Sequence, residues 1–273
     1  MSEVIIPNLQ IERIKEFIEQ GKRFDGRRLN EFRKISVEKS ISKNAESAVS
    51  VKLGKTEVYA GVKMTTTEPY PDSPDEGTFM TTAELHPMAS EEFELGKPGI
   101  NAVELARVID RGIRESGFLD FKKLCIKQGE KVWQVFLDIV AINNDGNLFD
   151  AAGIAALVAI ASAKMPKYNE EEQKIEQELS ENFLPINKEA LSFNLTIHKI
   201  DNNLVVDTSQ EEEAISDYRL SVAISGDENS PRITAMQKGK EGTINSKDLD
   251  KILEIIKQQH KETFPEIKKI VFG

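Results

Sequence analysis

Apolar residues recur along the chain in two rhythms. Ile11, Ile14, Phe17 and Ile18 keep the i, i+3, i+6, i+7 spacing of a helix face, with Asn8 available as a cap and Gly21 as a stop, which predicts a short docking helix. After the loop Arg23-Phe24-Asp25-Gly26-Arg27-Arg28 the period drops to two: Ile35 and Val37, then Val49, Val51 and Leu53, then Val58, Ala60, Val62 and Met64. Strands in that succession predict a meander. Thr67 to Gly77, with three prolines and four acidic residues, reads as an exposed loop, and the short run Thr78 to Leu85 leads into another loop holding Gly96, Pro98 and Gly99. Helical spacing returns from Ile100 to Gly117, with Ile100, Val103, Leu105 or Ala106, Ile109 and Ile113 facing inward.

Val132 to Ile142 reads as a buried strand, Asn143 to Asn147 as a turn, and Ala151 to Ala163 as a helix capped by Asp150 and ended by Met165-Pro166. That helix is small and apolar on nearly every side, so it belongs inside the fold. Asn169 to Asn182 is rich in Glu and Gln and has the composition of a solvated connector. The second half alternates at Leu191, Phe193, Leu195 and Ile197, turns at Asp201-Asn202-Asn203, and continues with strands around Val205, Leu220 to Ile224, and Ile233 to Met236. A closing helix starts at Ser246, carries Leu249, Ile252, Leu253 and Ile256, and is limited by Pro265. The expected class is α+β, in two halves of mixed or antiparallel sheet packed with helices. The segments are 1–28 (docking helix and loop), 29–168 (first subdomain), 169–189 (acidic connector) and 190–273 (second subdomain).

Composition narrows the functions. No run approaches the roughly eighteen apolar residues of a membrane span, and Met1 to Gln10 lacks the pattern of a secretory leader. The lone Cys125 excludes an internal disulfide and a cysteine zinc site, so a reducing, cytoplasmic setting is expected. A net charge of -10, from 36 basic against 46 acidic residues, means that any nucleic-acid contact comes from a confined basic patch.

Four constellations bear on chemistry. Gly54-Lys55-Thr56 ends like a phosphate-binding loop, but Val49 stands where the first glycine is needed, and a hairpin turn is the ordinary reading. His86, His198 and His260 show no ligand spacing, and no metal or cofactor is expected. Asp207, Glu211, Glu212, Glu213 and Asp217 group between two predicted strands; such a loop either holds a cation or proton, or is simply solvated, and the latter is commoner. Arg107, Arg111 and Arg114 stand at i, i+4 and i+7, a stripe about 10 Å long that suits successive phosphates of one strand. Alternatively Glu104, Asp110 and Glu115 neutralise them, for instance Asp110 with Arg114. Lys122 and Lys123 extend the positive patch.

The run Gly99-Ile100-Asn101-Ala102-Val103-Glu104-Leu105-Ala106-Arg107-Val108-Ile109-Asp110-Arg111 resembles the RNase PH-like core subunits of archaeal exosomes. So do Lys131-Val132-Trp133 and Asp145-Gly146-Asn147-Leu148-Phe149-Asp150-Ala151-Ala152; Arg23-Phe24-Asp25-Gly26-Arg27 is shared by the wider family. With Val205-Val206-Asp207 and Lys238-Gly239-Lys240-Glu241-Gly242, the resemblance spans nearly the whole chain. It implies an RNase PH-like fold and a six-membered ring of two alternating paralogues. The phosphorolytic paralogue carries an arginine pair where this chain has Ile100 and Asn101, and a Gly-Thr-Arg or Gly-Ser-Arg phosphate loop where it has Gly146-Asn147-Leu148.

The resemblance is therefore to the non-catalytic paralogue. It implies RNA binding by Arg107 and Arg111, with Arg114 on the same stripe, and a remnant acidic site at Glu211 and Asp217. The implied partners are a catalytic RNase PH-like subunit, in three heterodimers, RNA-binding cap subunits and single-stranded RNA. Two rival expectations stand beside it: a self-sufficient phosphorolytic exoribonuclease with Asp217 as general acid, and a structural spacer without RNA contact.

Overall fold

A computed structural model describes residues 6–169, 171–227 and 230–273; residues 1–5 of the expected docking segment and Glu170 of the expected connector lie outside them. Asn8–Glu19 form α1. Pro7, at φ -58°, takes the cap position and no side chain bonds the free N–H groups, so Asn8 is the first helical residue and not the cap. The fixed φ of proline prepares the helix start without a hydroxyl or amide acceptor. Ile14 and Ile18 pack on Ile200 and Val205, so the helix docks on the second half of the chain.

The first sheet contains β1 (Ile35–Lys39), β2 (Ser47–Leu53), β3 (Thr56–Thr67), β4 (Thr78–Leu85), β5 (Cys125–Lys127) and β6 (Lys131–Asn143). β1, β2 and β3 are the expected antiparallel meander. The order is β1-β2-β3-β6-β4, and β4 runs parallel to β6. A parallel neighbour requires a crossover, and α2 (Ile100–Ser116) supplies it. Its buried side is Ala102, Leu105, Ala106, Ile109 and Ile113, whereas Ile100 and Val103, expected inside, are exposed.

α3 (Leu148–Ser162) is buried at nearly every position, as its sequence predicts. It touches β2 and β3 on one side and β9 (Ser192–Ile200) on the other, so it joins the two sheets through one core. Asp150 does not cap it. Asn147 occupies the cap position in the left-handed region, and Asp150 lies fully buried in the first turn, where its carboxyl bonds β9.

The stretch expected as a connector is a β-hairpin of β7 (Lys164–Asn169) and β8 (Lys174–Phe183). Most of its residues face solvent and only Met165, Pro166, Tyr168 and Ile175 turn toward the core, which explains why a polar sequence conceals the strands. β10 (Asn203–Val206), β9, β11 (Tyr218–Asp227) and β12 (Ser230–Gly239) form the second, antiparallel sheet. Between β10 and β11 the expected acidic loop is a helix, α4 (Gln210–Ile215), whose start is fixed by a Ser209–Glu212 capping box. α5 (Ser246–Glu262) buries Ile252, Ile255 and Ile256, leaving Leu249 and Leu253 partly exposed. Pro265 limits α5 and also opens a further helix, α6 (Phe264–Phe272), that the sequence pattern did not predict.

Candidate functional site

α2 places its apolar residues on the core and its arginines on the other side. Gly117, at φ 73°, closes the helix in a left-handed conformation that a side chain resists. Arg107, Arg111 and Arg114 are all exposed, but they are not equivalent. Arg114 Nε and Nη2 donate to Asp110 Oδ2 and Oδ1 at 3.0 and 3.1 Å. Nη2 also donates to the Phe79 carbonyl at 3.0 Å, and the guanidinium sits 5.2 Å from the Phe121 ring centroid. Glu104 instead accepts from Arg219 on β11. Arg107 and Arg111 have neither a hydrogen-bond nor an ion-pair partner among the described residues. They line a shallow cleft with Thr81 of β4, and Arg111 also lines a depression with Met236 and Gln237 of β12. The unpaired cations therefore stand where the edges of the two sheets approach each other. Lys123 pairs with Asp120 and does not join them.

A pocket of about 490 Å³ lies beside the start of α2, lined by Asn101, Glu104, Leu148, Phe149, Glu213, Arg219 and Lys240 among others. Its cations already have internal partners, although the buried Arg219 Nε makes no hydrogen bond. The Arg219 guanidinium lies 4.0 Å from the Phe149 ring centroid and donates to Glu104 Oε1 at 2.5 Å. Lys240 Nζ donates to the carbonyls of Glu213, Ala214 and Ser216 at the C-terminal end of α4. Desolvation pushes the Glu213 carboxyl up to about 7, although it accepts from the Asn147 N–H at 2.6 Å. His198 Nε2 lies 3.7 Å from Glu213 Oε1, and desolvation, then the charges of Arg219 and Lys240, hold this buried imidazole well below its usual pKa. Leu148 brings an aliphatic side chain into this lining.

The loop itself turns inward. Gly146, at φ 86°, passes so close to Thr208 and Ser209 that a Cβ would meet their backbone. Asn147, with no exposed surface, donates from Nδ2 to Asp150 at 2.9 Å and to Asp207 at 2.8 Å. Asp150 also accepts from the Thr196 N–H and hydroxyl, and burial pushes its carboxyl up to about 7.

The acidic cluster is divided among internal partners. Burial opposes the ionised form of Asp207, yet hydrogen bonds and charge from Arg33, together with Arg27, hold its pKa below the usual carboxylate value. Glu212 takes a two-pronged bond from Arg23, which also donates to the carbonyls of Val206 and Asp207. Glu211 accepts from Gln10 of α1 at 2.7 Å, while Asp217 is exposed just before β11. No group of three or more His, Cys, Asp or Glu residues among the described ones is arranged to hold a metal.

Sequence reasoning missed Arg23, Arg27 and Arg33 as partners of the cluster. Their signal was present as a basic entry loop, but only the fold brings it to residues 206–212. Gly54-Lys55-Thr56 is the β2–β3 turn, with Thr56 Oγ1 donating to the Gly146 carbonyl. The histidines stay apart: His86 meets Glu84, and His260 stacks on Phe264.

Comparison with known proteins accounts for both halves. Residues 31–166 match domain 1 of the 3' exoribonuclease family and residues 194–259 match its domain 2. An exosome complex component, Rrp42, of Methanothermobacter thermautotrophicus is 44% identical over 253 residues, covering 92% of this chain and 91% of the relative. Its namesake in Thermococcus kodakarensis is 39% identical over 99% of each chain. A chain of the Archaeoglobus fulgidus exosome, solved with RNA bound to the active site, superposes with a TM-score of 0.85 at 37% identity and covers 95% of this chain and 98% of that one.

Proposed function

The chain belongs to the 3' exoribonuclease family, and from that premise we propose that it is the non-catalytic ring subunit of an RNA-degrading exosome. It grips single-stranded RNA through Arg107 and Arg111 and completes the active site of a catalytic RNase PH-like partner. Three such heterodimers make the ring, cap subunits that bind RNA sit upon it, and the assembly works in the cytoplasm. The two RNase PH-like subdomains take residues 29–168 and 190–273, with 1–28 docking and 169–189 linking.

One observation supports the non-catalytic reading: the uncharged Leu148 and Asn101 line the pocket at the positions to which the resemblance assigns the cations of phosphorolysis. Inorganic phosphate attacking a phosphodiester brings two anions together, and their repulsion must be offset by positive charge aimed at the transition state. Leucine and asparagine carry no charge, and Arg219 and Lys240 are held by Glu104 and by the α4 carbonyls. The unpaired arginines of α2 support a different task, since charge that meets no internal partner is available to successive phosphates.

The test is phosphate-dependent release of nucleoside diphosphates from RNA, by the isolated chain and by the chain reconstituted with the catalytic partner. The mixture is expected to turn over and the isolated chain is not. Equal turnover by both would establish the self-sufficient enzyme instead.

A further inference from the structure

We infer that Arg114 is a positioning residue, which keeps Asp110 away from Arg107 and so leaves the RNA-binding cations of α2 unpaired. The inference rests on the RNA-binding reading of Arg107 and Arg111. Asp110 is the one carboxylate lining the cleft it shares with Arg107 and Arg111. On a helix it has two arginine neighbours within reach, Arg107 three residues back and Arg114 four residues on. A free carboxylate there would take Arg107, cancelling the charge that RNA requires.

The structure gives Asp110 to Arg114 by both of its oxygens, with Thr81 Oγ1 3.4 Å from Oδ1. Arg114 is in turn tied from outside the helix. It donates to the Phe79 carbonyl, and its guanidinium lies 5.8 and 5.2 Å from the ring centroids of Phe79 and Phe121. These ties draw the guanidinium, and Asp110 with it, toward the β4 side of α2. They also occupy Arg114 with protein, so its influence on RNA passes through Asp110.

The test is a cycle of variants in the full chain reconstituted with the catalytic partner, read as affinity for labelled oligoadenylate against salt concentration. R107A/R111A is the control for the underlying reading; if it binds RNA as the unaltered complex does, the RNA-binding reading itself is overturned. R114A, and R114M, which keeps an apolar stem over the two rings, are expected to weaken binding about 3- to 10-fold by allowing Asp110 to capture Arg107. D110N alone is expected to change little, because its charge is already engaged. In the R114A or R114M background D110N is expected to restore both the affinity and the salt slope.

A double variant whose slope stays lower by about 0.7, the loss of one single-strand phosphate contact, would show instead that Arg114 touches RNA and overturn the inference. An equal gain from D110N with and without Arg114 would overturn it too. So would R114M binding RNA as the unaltered complex does.

Discussion

Arg33 and Asp207, 174 positions apart, form a two-pronged pair: Arg33 Nε lies 2.9 Å from Asp207 Oδ2, and Nη2 lies 2.7 Å from Oδ1. Asp207 has no exposed surface, and its remaining lone pairs are taken by Arg27 and Asn147. Removing the carboxylate leaves the largely buried guanidinium groups of Arg27 and Arg33 without their charge partner. D207A is expected to lose about 3–5 kcal/mol of stability, the usual penalty for breaking a buried pair from one side, checked by urea unfolding. A loss below about 1 kcal/mol would mean that the cluster rearranges.

Gly146 offers a backbone prediction. Its φ of 86° and the proximity of the Thr208 and Ser209 backbone leave no room for a methyl group. G146A is expected to destabilise by about 1–3 kcal/mol, seen as a lower denaturation midpoint, with Thr208 and Asn147 displaced.

The arginines of α2 predict a salt signature. Each of R107A and R111A is expected to lower the slope of log affinity against log salt by about 0.7 for single-stranded RNA, and the pair together by about twice that. A titration of the reconstituted complex at three salt concentrations measures it. Unchanged slopes would favour the structural spacer.

Asp150 makes stability depend on pH in a definite sense. Its carboxyl titrates near 7 in the folded chain against an ordinary value of 3.8. Between about 4 and about 7 the folded protein therefore holds a proton that the unfolded chain has released, and stability falls as pH rises through that window. Glu213, raised to about 7 from 4.5, acts in the same sense, whereas His198, depressed below 6.5, acts in the opposite one. The readout is accordingly a difference: the advantage of the parent chain over D150N in melting temperature should shrink from pH 4 to pH 7 and level off above. A constant difference would mean that Asp150 titrates normally.

Periodicity made most strands of the first sheet and the arginine face of α2 legible, because each has one side in a core and one side elsewhere, and α3 was legible because it is apolar on nearly every side. Where only a few side chains reach the core, as Tyr168 does against Trp133, the rhythm fails, and the β7–β8 hairpin reads as a connector. The opposite failure befell Asp150, whose residue type suggests a cap but whose neighbours in space, Thr196 above all, take it into the core. For the site, the arginine stripe of α2 was readable from helical spacing. That Asn147 faces inward, and that Arg114 differs from Arg107 and Arg111, depends on contacts between distant strands and helices that no local pattern encodes.

The bonds from Arg23 to Glu212 also determine when the protein can fold. They join residues 189 positions apart, and α1 buries Ile14 and Ile18 on Ile200 and Val205 from the same late segment. A twelve-residue helix is marginal without its packing surface, so α1 waits until most of the chain has followed it. Until β9 and β10 exist, the arginines of the entry loop lack their partners and the early half is held together by its own sheet with α2 and α3. Completion of the second sheet is thus the event that secures the beginning of the chain, and a nascent chain stalled before residue 206 would keep that beginning open to proteases.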